Sequence, residues 1–263
     1  MLVFGVVCQA FAGANQSKKV VEEKDLKPSA ENSVKLDKVK LVKYSDGSCE
    51  IQGASDNNAF GAPAQYYRIS VDQKNATYKT ESMPIPDKYK KYVTDNIAKE
   101  KTTVTQPLST ESTASTTAST TAAQYFSVTM IMDTEDIPQE NLAETNNYLS
   151  WTGNGGYVTY NSWDYSYWAN PETNAYTTWY VDWPNCIANG PYYNSEHYIV
   201  YNDITGQYIN WDWLYDDQAT YTKHWTRIKG YGSTYGYEFN SRHWGESGSI
   251  LQTDVFVNGI RVQ

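Results

Sequence analysis

The chain has 263 residues, a net charge of −9, nine Trp and 24 Tyr. This length is enough for one or two domains with a sizeable core. No run of about 18 apolar residues occurs, which argues against a transmembrane helix. The acidic balance argues against nucleic acid as the partner, because phosphate binding draws on a basic face.

The first fourteen residues have features of a secretory signal peptide. An apolar run from Met1 to Cys8 is followed by small residues at alternate positions, Ala10, Ala12 and Ala14, as signal peptidase requires. The usual positive n-region is missing. We therefore expect residues 1–14 to be a signal peptide and the protein to be secreted, in the extracellular space or at the cell surface.

Cysteine usage is compatible with export. Once Cys8 is removed, Cys49 and Cys186 remain, and an even number in an oxidising compartment favours a disulfide. Two unpaired thiols are the alternative. No CxxC motif and no Cys/His pair at zinc spacing occurs, so a structural zinc site is not expected.

Composition changes sharply near residue 125. Residues 15–105 hold all but five of the 21 Lys and Arg and no Trp, whereas residues 125–263 hold all nine Trp and 18 of the 24 Tyr. Between them, residues 106–124 are rich in Ser, Thr and Ala, which is typical of an extracellular linker. The sequence thus predicts a polar N-terminal region at 15–105 and an aromatic-rich domain at 125–263.

The N-terminal region has few strong signals. Residues 15–35 are polar and predict a disordered tail. Alternation at 34–42 and the segment 66–71 predict strands, and apolar spacing at 86–101 predicts a short helix. The region could therefore be a pro-segment, a small α+β module, or an arm that lies along the main domain. If it is a pro-segment or a tether, the domain from about Tyr125 onward should fold alone.

The second region reads as antiparallel β-structure. Strand-like segments recur every 8–15 residues or so between Gly- and Asn-rich turns, with almost no helical periodicity. This regular spacing of strand-like segments predicts an all-β sandwich of jelly-roll type. The predicted strands are 125–132, 157–160, 176–183, 192–201, 207–214, 219–228, 234–244 and 250–257.

The aromatic content is the strongest functional signal. Because successive residues of a strand face opposite sides, several tryptophans share a face with other rings, and an exposed row of rings could stack on sugars. The alternative is that the rings fill the core, since large aromatics are highly buried on average. The candidate ligand-binding residues are Trp163, Trp179, Trp183, Trp211 and Trp213.

A glycosidase needs two facing carboxylic groups, one protonated and one ionised. Glu196 and Glu238 lie in strand-like segments and are the first candidates. The alternative is a solvated acidic surface, since Asp and Glu are mostly exposed. The composition of residues 125–263, rich in Tyr, Trp, Asn and Thr, resembles that of the jelly-roll xylanases. Their catalytic strand motifs have no counterpart here, so the resemblance assigns no catalytic residue.

Calcium is the one cofactor that the sequence raises. Asp212, Asp216 and Asp217 cluster within six residues, as do the acidic residues of 133–136. Neither cluster has the spacing or the glycine of an EF-hand loop, and a hydrated charge cluster is the alternative. No other cofactor is expected.

Three functions follow from these observations. The first is a secreted or cell-surface, non-catalytic β-sandwich that binds a polysaccharide or a cell-surface glycan through exposed aromatics. The second is a secreted glycoside hydrolase on a β-jelly-roll. The third is a structural envelope protein that associates with itself through Tyr and Trp contacts.

Overall fold

The computed structural model describes residues 19–30, 33–91, 123–136, 140–154, 156–171, 177–212, 219–245, 248 and 251–262. The predicted signal peptide at 1–14 lies outside these residues, as does the predicted linker except for its last two positions. No helix among the described residues has the length and hydropathy to cross a membrane.

The predicted all-β sandwich is confirmed. A 3-10 turn, Trp183–Asn185, and one helical turn at residues 87–91 are the helical segments of the described chain. The strands are β1 (Val20–Asp25), β2 (Lys27–Pro28), β3 (Lys38–Tyr44), β4 (Cys49–Ala59), β5 (Gln65–Asp72), β6 (Thr77–Ser82), β7 (Gln124–Glu135), β8 (Asn141–Asn154), β9 (Tyr157–Ala169), β10 (Thr177–Val181), β11 (Ile187–Tyr193), β12 (Val200–Asp212), β13 (Ala219–Gly230), β14 (Thr234–Gly245) and β15 (Gln252–Val262).

The strands form two sheets. The eight-stranded sheet has the order β1-β3-β4-β14-β13-β12-β10, with β11 also paired to β12. The seven-stranded sheet has the order β2-β6-β5-β15-β7-β8-β9. All pairs are antiparallel except β2 with β6. The sheets pack face to face through β12 and β13 on one side and β7 and β8 on the other.

Strands from the N-terminal region complete both sheets. β4 pairs with β14 from Ala59 opposite Thr234 to Cys49 opposite His243, and β5 pairs with β15. Residues 19–91 therefore do not form a separate α+β module. Their strands lie in the same two sheets as those that follow residue 123.

One end of the interior is apolar. The fully buried Trp151 of β8 packs on Gly230 of β13, where a Cβ would come within 2.6 Å of the indole. Only glycine leaves room for the ring at this point. The indole Nε1 donates to the Tyr231 carbonyl at 2.8 Å, and Phe126 lies 5.9 Å away between ring centroids.

The other end of the interior is polar. His224 of β13 is fully buried, and its Nε2 lies 2.7 Å from Thr134 Oγ1 while its Nδ1 lies 3.1 Å from Thr145 Oγ1. Thr145 Oγ1 is in turn 2.7 Å from the hydroxyl of Tyr208. These hydrogen bonds join the two sheets, because Thr134 and Thr145 belong to the seven-stranded sheet and His224 and Tyr208 to the other.

Candidate ligand-binding site

The outward face of the eight-stranded sheet carries an open cavity around Trp225. β13 alternates strictly, so that Thr222, His224 and Thr226 point inward and Lys223 and Trp225 point outward. The cavity measures about 600 Å³, and we call it the outer trough. Its lining residues come from β3, β4, β14, β13 and β12 and are Lys38, Lys40, Tyr44, Glu50, Gln52, Gly53, Ala54, Thr205, Lys223, Trp225, Glu238, Phe239, Asn240 and Arg242.

Strand register places Trp225 in the middle of a polar row. Trp225 lies opposite Asn240 on one side and Thr205 on the other. Asn240 lies opposite Gln52, which lies opposite Lys40. Directly opposed residues in an antiparallel pair share a face, with side chains about 5 Å apart. The indole is therefore surrounded by amide, hydroxyl and ammonium groups.

Ion pairs fix one end of the outer trough. Glu238 accepts from the Lys229 ammonium at 2.9 Å and lies 3.6 Å from the Arg227 guanidinium. Arg227 donates two hydrogen bonds to Asp203, each of 2.7 Å, which raises the pKa of the guanidinium. The same guanidinium lies 5.0 Å from the Trp225 ring centroid, so the ion pairs also position the indole.

Cation–ring contacts fix the other end. The Arg242 guanidinium lies 3.9 Å from the ring centroid of Tyr44 and 5.0 Å from that of Trp244. Trp244 stacks on Tyr221 with centroids 5.1 Å apart and planes 3° from parallel. Stacked and ion-paired side chains lose little freedom when a ligand binds, so this surface is pre-organised.

The five predicted tryptophans do not form one surface. Trp179 is 2% exposed and packs in the interior with Tyr208, because β10 turns this face toward the core. Trp163 and Trp183 are exposed and are connected through the rings of two tyrosines, Tyr165 and Tyr167. The side chain of Trp211 and the whole of Trp213 lie outside the described residues.

A second aromatic surface follows the edge strand β9. We call it the aromatic edge, and it consists of Trp163, Tyr165, Tyr167 and Trp183. Trp163 stacks on Tyr165 with centroids 5.6 Å apart, Tyr165 lies 5.4 Å from Tyr167, and Tyr167 meets Trp183 edge-on at 5.7 Å. The rings contact one another, so each presents less of its face to a ligand than an isolated ring would.

Local bonds occupy part of the backbone edge of β9. The Tyr165 N–H donates to its neighbour Asp164 at 2.8 Å, and the Tyr160 N–H donates to the Tyr193 hydroxyl at 3.0 Å. The Val158 N–H donates to a turn carbonyl. Natural sheets blunt exposed edges with charges and local caps of this kind. Strand pairing with another chain is therefore disfavoured along much of β9.

The proposed catalytic pair is not assembled. Glu196 lies in the turn between β11 and β12, where Asn194 donates to it at 3.0 Å. Glu238 lies on β14, two strands from β12, opposite Arg227 and Asp203. Two strand spacings and at least three residues of rise, roughly 10 Å in each direction, separate them. Glycosidase carboxylates lie about 5–9.5 Å apart.

A carboxylate pair that the sequence did not single out lies on the outward face of the seven-stranded sheet. Asp133 of β7 and Glu144 of β8 are register partners, and the Tyr89 hydroxyl contacts both. Asp133 is 2% exposed, and burial, with Glu144 nearby, raises its pKa well above the usual range. Lys88 also pairs with Glu144 at 2.9 Å, so both carboxylates are engaged by side chains of the same cluster.

The predicted disulfide is absent. Cys49 and Cys186 are both free thiols. Cys49 is aligned across the sheet with His243 of β14, whereas the Cys186 sulfur contacts Gln207 of β12. Three strand spacings, roughly 14 Å, lie between these positions. A disulfide requires Cα atoms about 4.4–6.8 Å apart, so sheet pairing keeps the thiols from bonding.

The calcium candidates are not assembled among the described residues. Asp216 and Asp217 lie outside them, as does the side chain of Asp212. In the second cluster, Thr134 points inward to His224 while Asp133 faces Tyr89, so the strand directs neighbouring ligands to opposite sides. In the described part of the chain, no group of three or more His, Cys, Asp or Glu is arranged to hold a metal ion.

Comparisons add no relative. No protein-family model matches the chain, and comparison with curated proteins and with solved structures gives no significant match.

Proposed function

We propose that this chain is a secreted or cell-surface, non-catalytic β-sandwich protein that binds a polysaccharide or a cell-surface glycan in the outer trough. The observation that carries the proposal is the setting of Trp225, an indole in an open cavity of about 600 Å³. Sugars combine an apolar ring face with hydroxyls around it. An aromatic ring encircled by donors and acceptors complements both features.

The polar groups suit hydroxyl recognition. Gln52 and Asn240 each carry a donor and an acceptor on one planar amide, and Thr205 adds a hydroxyl. They lie on adjacent strands, so the sheet spaces them at regular intervals of about 5 Å. A chain of sugars that crosses the strands would meet one such group at each strand.

The non-catalytic part of the proposal has its own support. Glu238 of the outer trough is engaged by two cations, and the nearby carboxylates Asp203 and Asp56 are held by the same two cations. The other carboxylate of the lining, Glu50, lies four residues away in register on the neighbouring strand. This separation is roughly 14 Å along the strand, beyond the spacing of a hydrolase pair. Export stays a prediction from the N-terminal pattern.

The test is retention of the full chain on insoluble polysaccharides, with released reducing sugar measured in the same samples. We expect retention without release. Trp225→Ala should weaken binding about tenfold or more, since buried aromatic anchors dominate binding energy. Trp168→Ala is the matched control, because Trp168 is an exposed tryptophan outside the outer trough.

Other outcomes would contradict the non-catalytic function or would place the binding site elsewhere. Release of reducing sugar would contradict the non-catalytic function. Loss of retention in Trp183→Ala, with Trp225→Ala unaffected, would move the site to the aromatic edge. The exposed rings of that edge also favour a second candidate, association with another copy through side chains. A concentration-dependent dimer that Trp183→Ala abolishes, without any retention on polysaccharides, would favour it.

A further inference from the structure

Two cations lie side by side in the outer trough. Lys223 of β13 and Arg242 of β14 are directly opposed in register, and both point outward. Like charges in directly opposed positions destabilise an antiparallel pair. A β-sheet that retains such a pair on an open surface loses stability there, unless a negatively charged group shares the site.

The neighbouring charges do not neutralise both cations. Arg242 donates to Asp46 at 3.1 Å, whereas no carboxylate among the described residues forms an ion pair with Lys223. Glu50 also faces Arg242 in register, and it accepts hydrogen bonds from Tyr44 at 2.5 Å and from Gln52 at 2.9 Å. Both carboxylates therefore lie on the Arg242 side of the pair, and Lys223 is the cation without an ion-pair partner among the described residues.

The charge of the residues that line the outer trough differs in sign from the net charge of the whole chain. The chain carries a net charge of −9, yet the outer trough is lined by four cations, Lys38, Lys40, Lys223 and Arg242, against two carboxylates. Glu238 already forms ion pairs at its own end, and among the cations Lys40 is paired with Glu23 and Arg242 with Asp46. Lys38 and Lys223 are the lining cations that form no ion pair with a described residue. A cavity of locally positive balance on an acidic protein concentrates anionic ligands at that place.

We propose that the outer trough binds an acidic polysaccharide, a chain of sugars with carboxylate groups, and holds one carboxylate between Lys223 and Arg242. An adjoining sugar ring then lies on Trp225, which is two residues from Lys223 on the same face. This inference rests on the proposed function, because it names the class of sugar for the same cavity. Arg242 already donates from Nε and Nη2 to Ser48 and Asp46, so the ligand carboxylate would meet its Nη1, and Lys223 supplies a mobile ammonium.

The test compares polygalacturonate with its methyl ester, because the two polymers share a sugar ring and differ in charge. The full chain should bind polygalacturonate about tenfold or more tightly than the ester, as expected for hydrogen bonds to a charged group. Lys223→Gln should remove most of that difference. Lys74→Gln is the matched control, since Lys74 is an exposed lysine in the turn between β5 and β6.

The controls separate this inference from the proposed function. Equal binding of polygalacturonate and its ester would overturn the acidic ligand and leave glycan binding intact. Dextran sulfate bound as tightly as polygalacturonate, and lost in Lys223→Gln but not in Trp225→Ala, would overturn it in favour of unspecific charge attraction. Binding to none of these polymers, nor to neutral polysaccharides, would contradict both proposals.

Discussion

The two ends of the sandwich interior are built from different chemistry. Around Trp151 and Phe126, the sheets meet through aromatic and aliphatic side chains, and burial of apolar area stabilises the contact. Around His224, they meet through hydroxyl and imidazole hydrogen bonds. The stability of the apolar end therefore depends on how much apolar area its neighbours cover. The stability of the polar end depends on whether each buried polar atom keeps its hydrogen-bond partner.

The N-terminal strands serve the apolar end. Leu36, Val39 and Leu41 from the β3 region and Ile69 from β5 belong to the same buried cluster as Trp151. They cover the interior where β14 and β15 would otherwise present open edges. Changes at the two ends are therefore expected to alter stability by different amounts.

The largest effect is expected from removal of the N-terminal strands. A chain of residues 123–263 loses the partners of β14 and β15 and exposes apolar core, so we expect an insoluble or unfolded product. Circular dichroism and solubility of this chain, compared with a chain that begins at residue 19, provide the measurement. A soluble, cooperatively unfolding product from residues 123–263 would show that the region is a dispensable tether.

The second effect is a loss of folding stability at acidic pH, caused by the buried His224 at the polar end. Burial lowers the pKa of His224 to about 3, against an ordinary value of 6.5. Below pH 6.5 the unfolded chain binds a proton that the folded chain does not, so stability is complete above this pH and is lost as the pH falls toward 3. This linkage amounts to about 3 kcal/mol between pH 7 and pH 4.

A variant isolates that contribution. Other buried groups also titrate in this range, His243 with the same sign and Asp133 with the opposite one. We therefore expect the urea-unfolding free energy of His224→Gln to fall less steeply between pH 7 and pH 4 than that of the unaltered chain. His197→Asn, in an exposed turn at positive φ, should keep the original slope. Identical slopes for His224→Gln and the unaltered chain would refute a buried neutral imidazole.

The smallest effect is expected from a reciprocal swap of near-isosteric residues. Thr134→Val removes the hydroxyl that lies 2.7 Å from His224 Nε2 and 3.0 Å from Thr222 Oγ1, and Val128→Thr buries a hydroxyl among apolar groups. Each should cost about 1–3 kcal/mol of unfolding free energy. Thr159→Val, on an exposed position of β9, should change it by less than about 0.5 kcal/mol. A neutral or stabilising Thr134→Val would mean that the polar end is not held by its hydrogen bonds.

The sequence predicted where the strands lie better than it predicted which face of each strand is buried. The segment 219–228 was expected as a strand and forms most of β13. Its two faces, Thr220 to Thr226 and Tyr221 to Arg227, both contain polar groups, so hydrophobic alternation does not show which one is buried. The structure buries the face of Thr and His and exposes that of Trp225. The outer trough is consequently not apparent from the sequence.

Other misses have related causes. Trp179 was a candidate for ligand binding and is buried, because an aromatic residue in a strand suits either face. Asp133 and Glu144 are paired across a hairpin whose register shifts at Glu135, and a shift of one residue reverses every facing pair. The change of composition at residue 125 does not mark a boundary between separate sheets. β4 and β5, which precede it, pair with β14 and β15, which follow it.

The sequence by itself determined that the chain is β-rich, that turns separate its strands and that it has more aromatic side chains than one apolar core requires. These properties follow from local preferences of residues for strands and turns. Tertiary structure alone decided which strands are neighbours, which face of β13 is inside and which side chains surround Trp225. Strand pairing joins residues far apart in the chain, and with a polar interior no hydrophobic pattern specifies that pairing in advance.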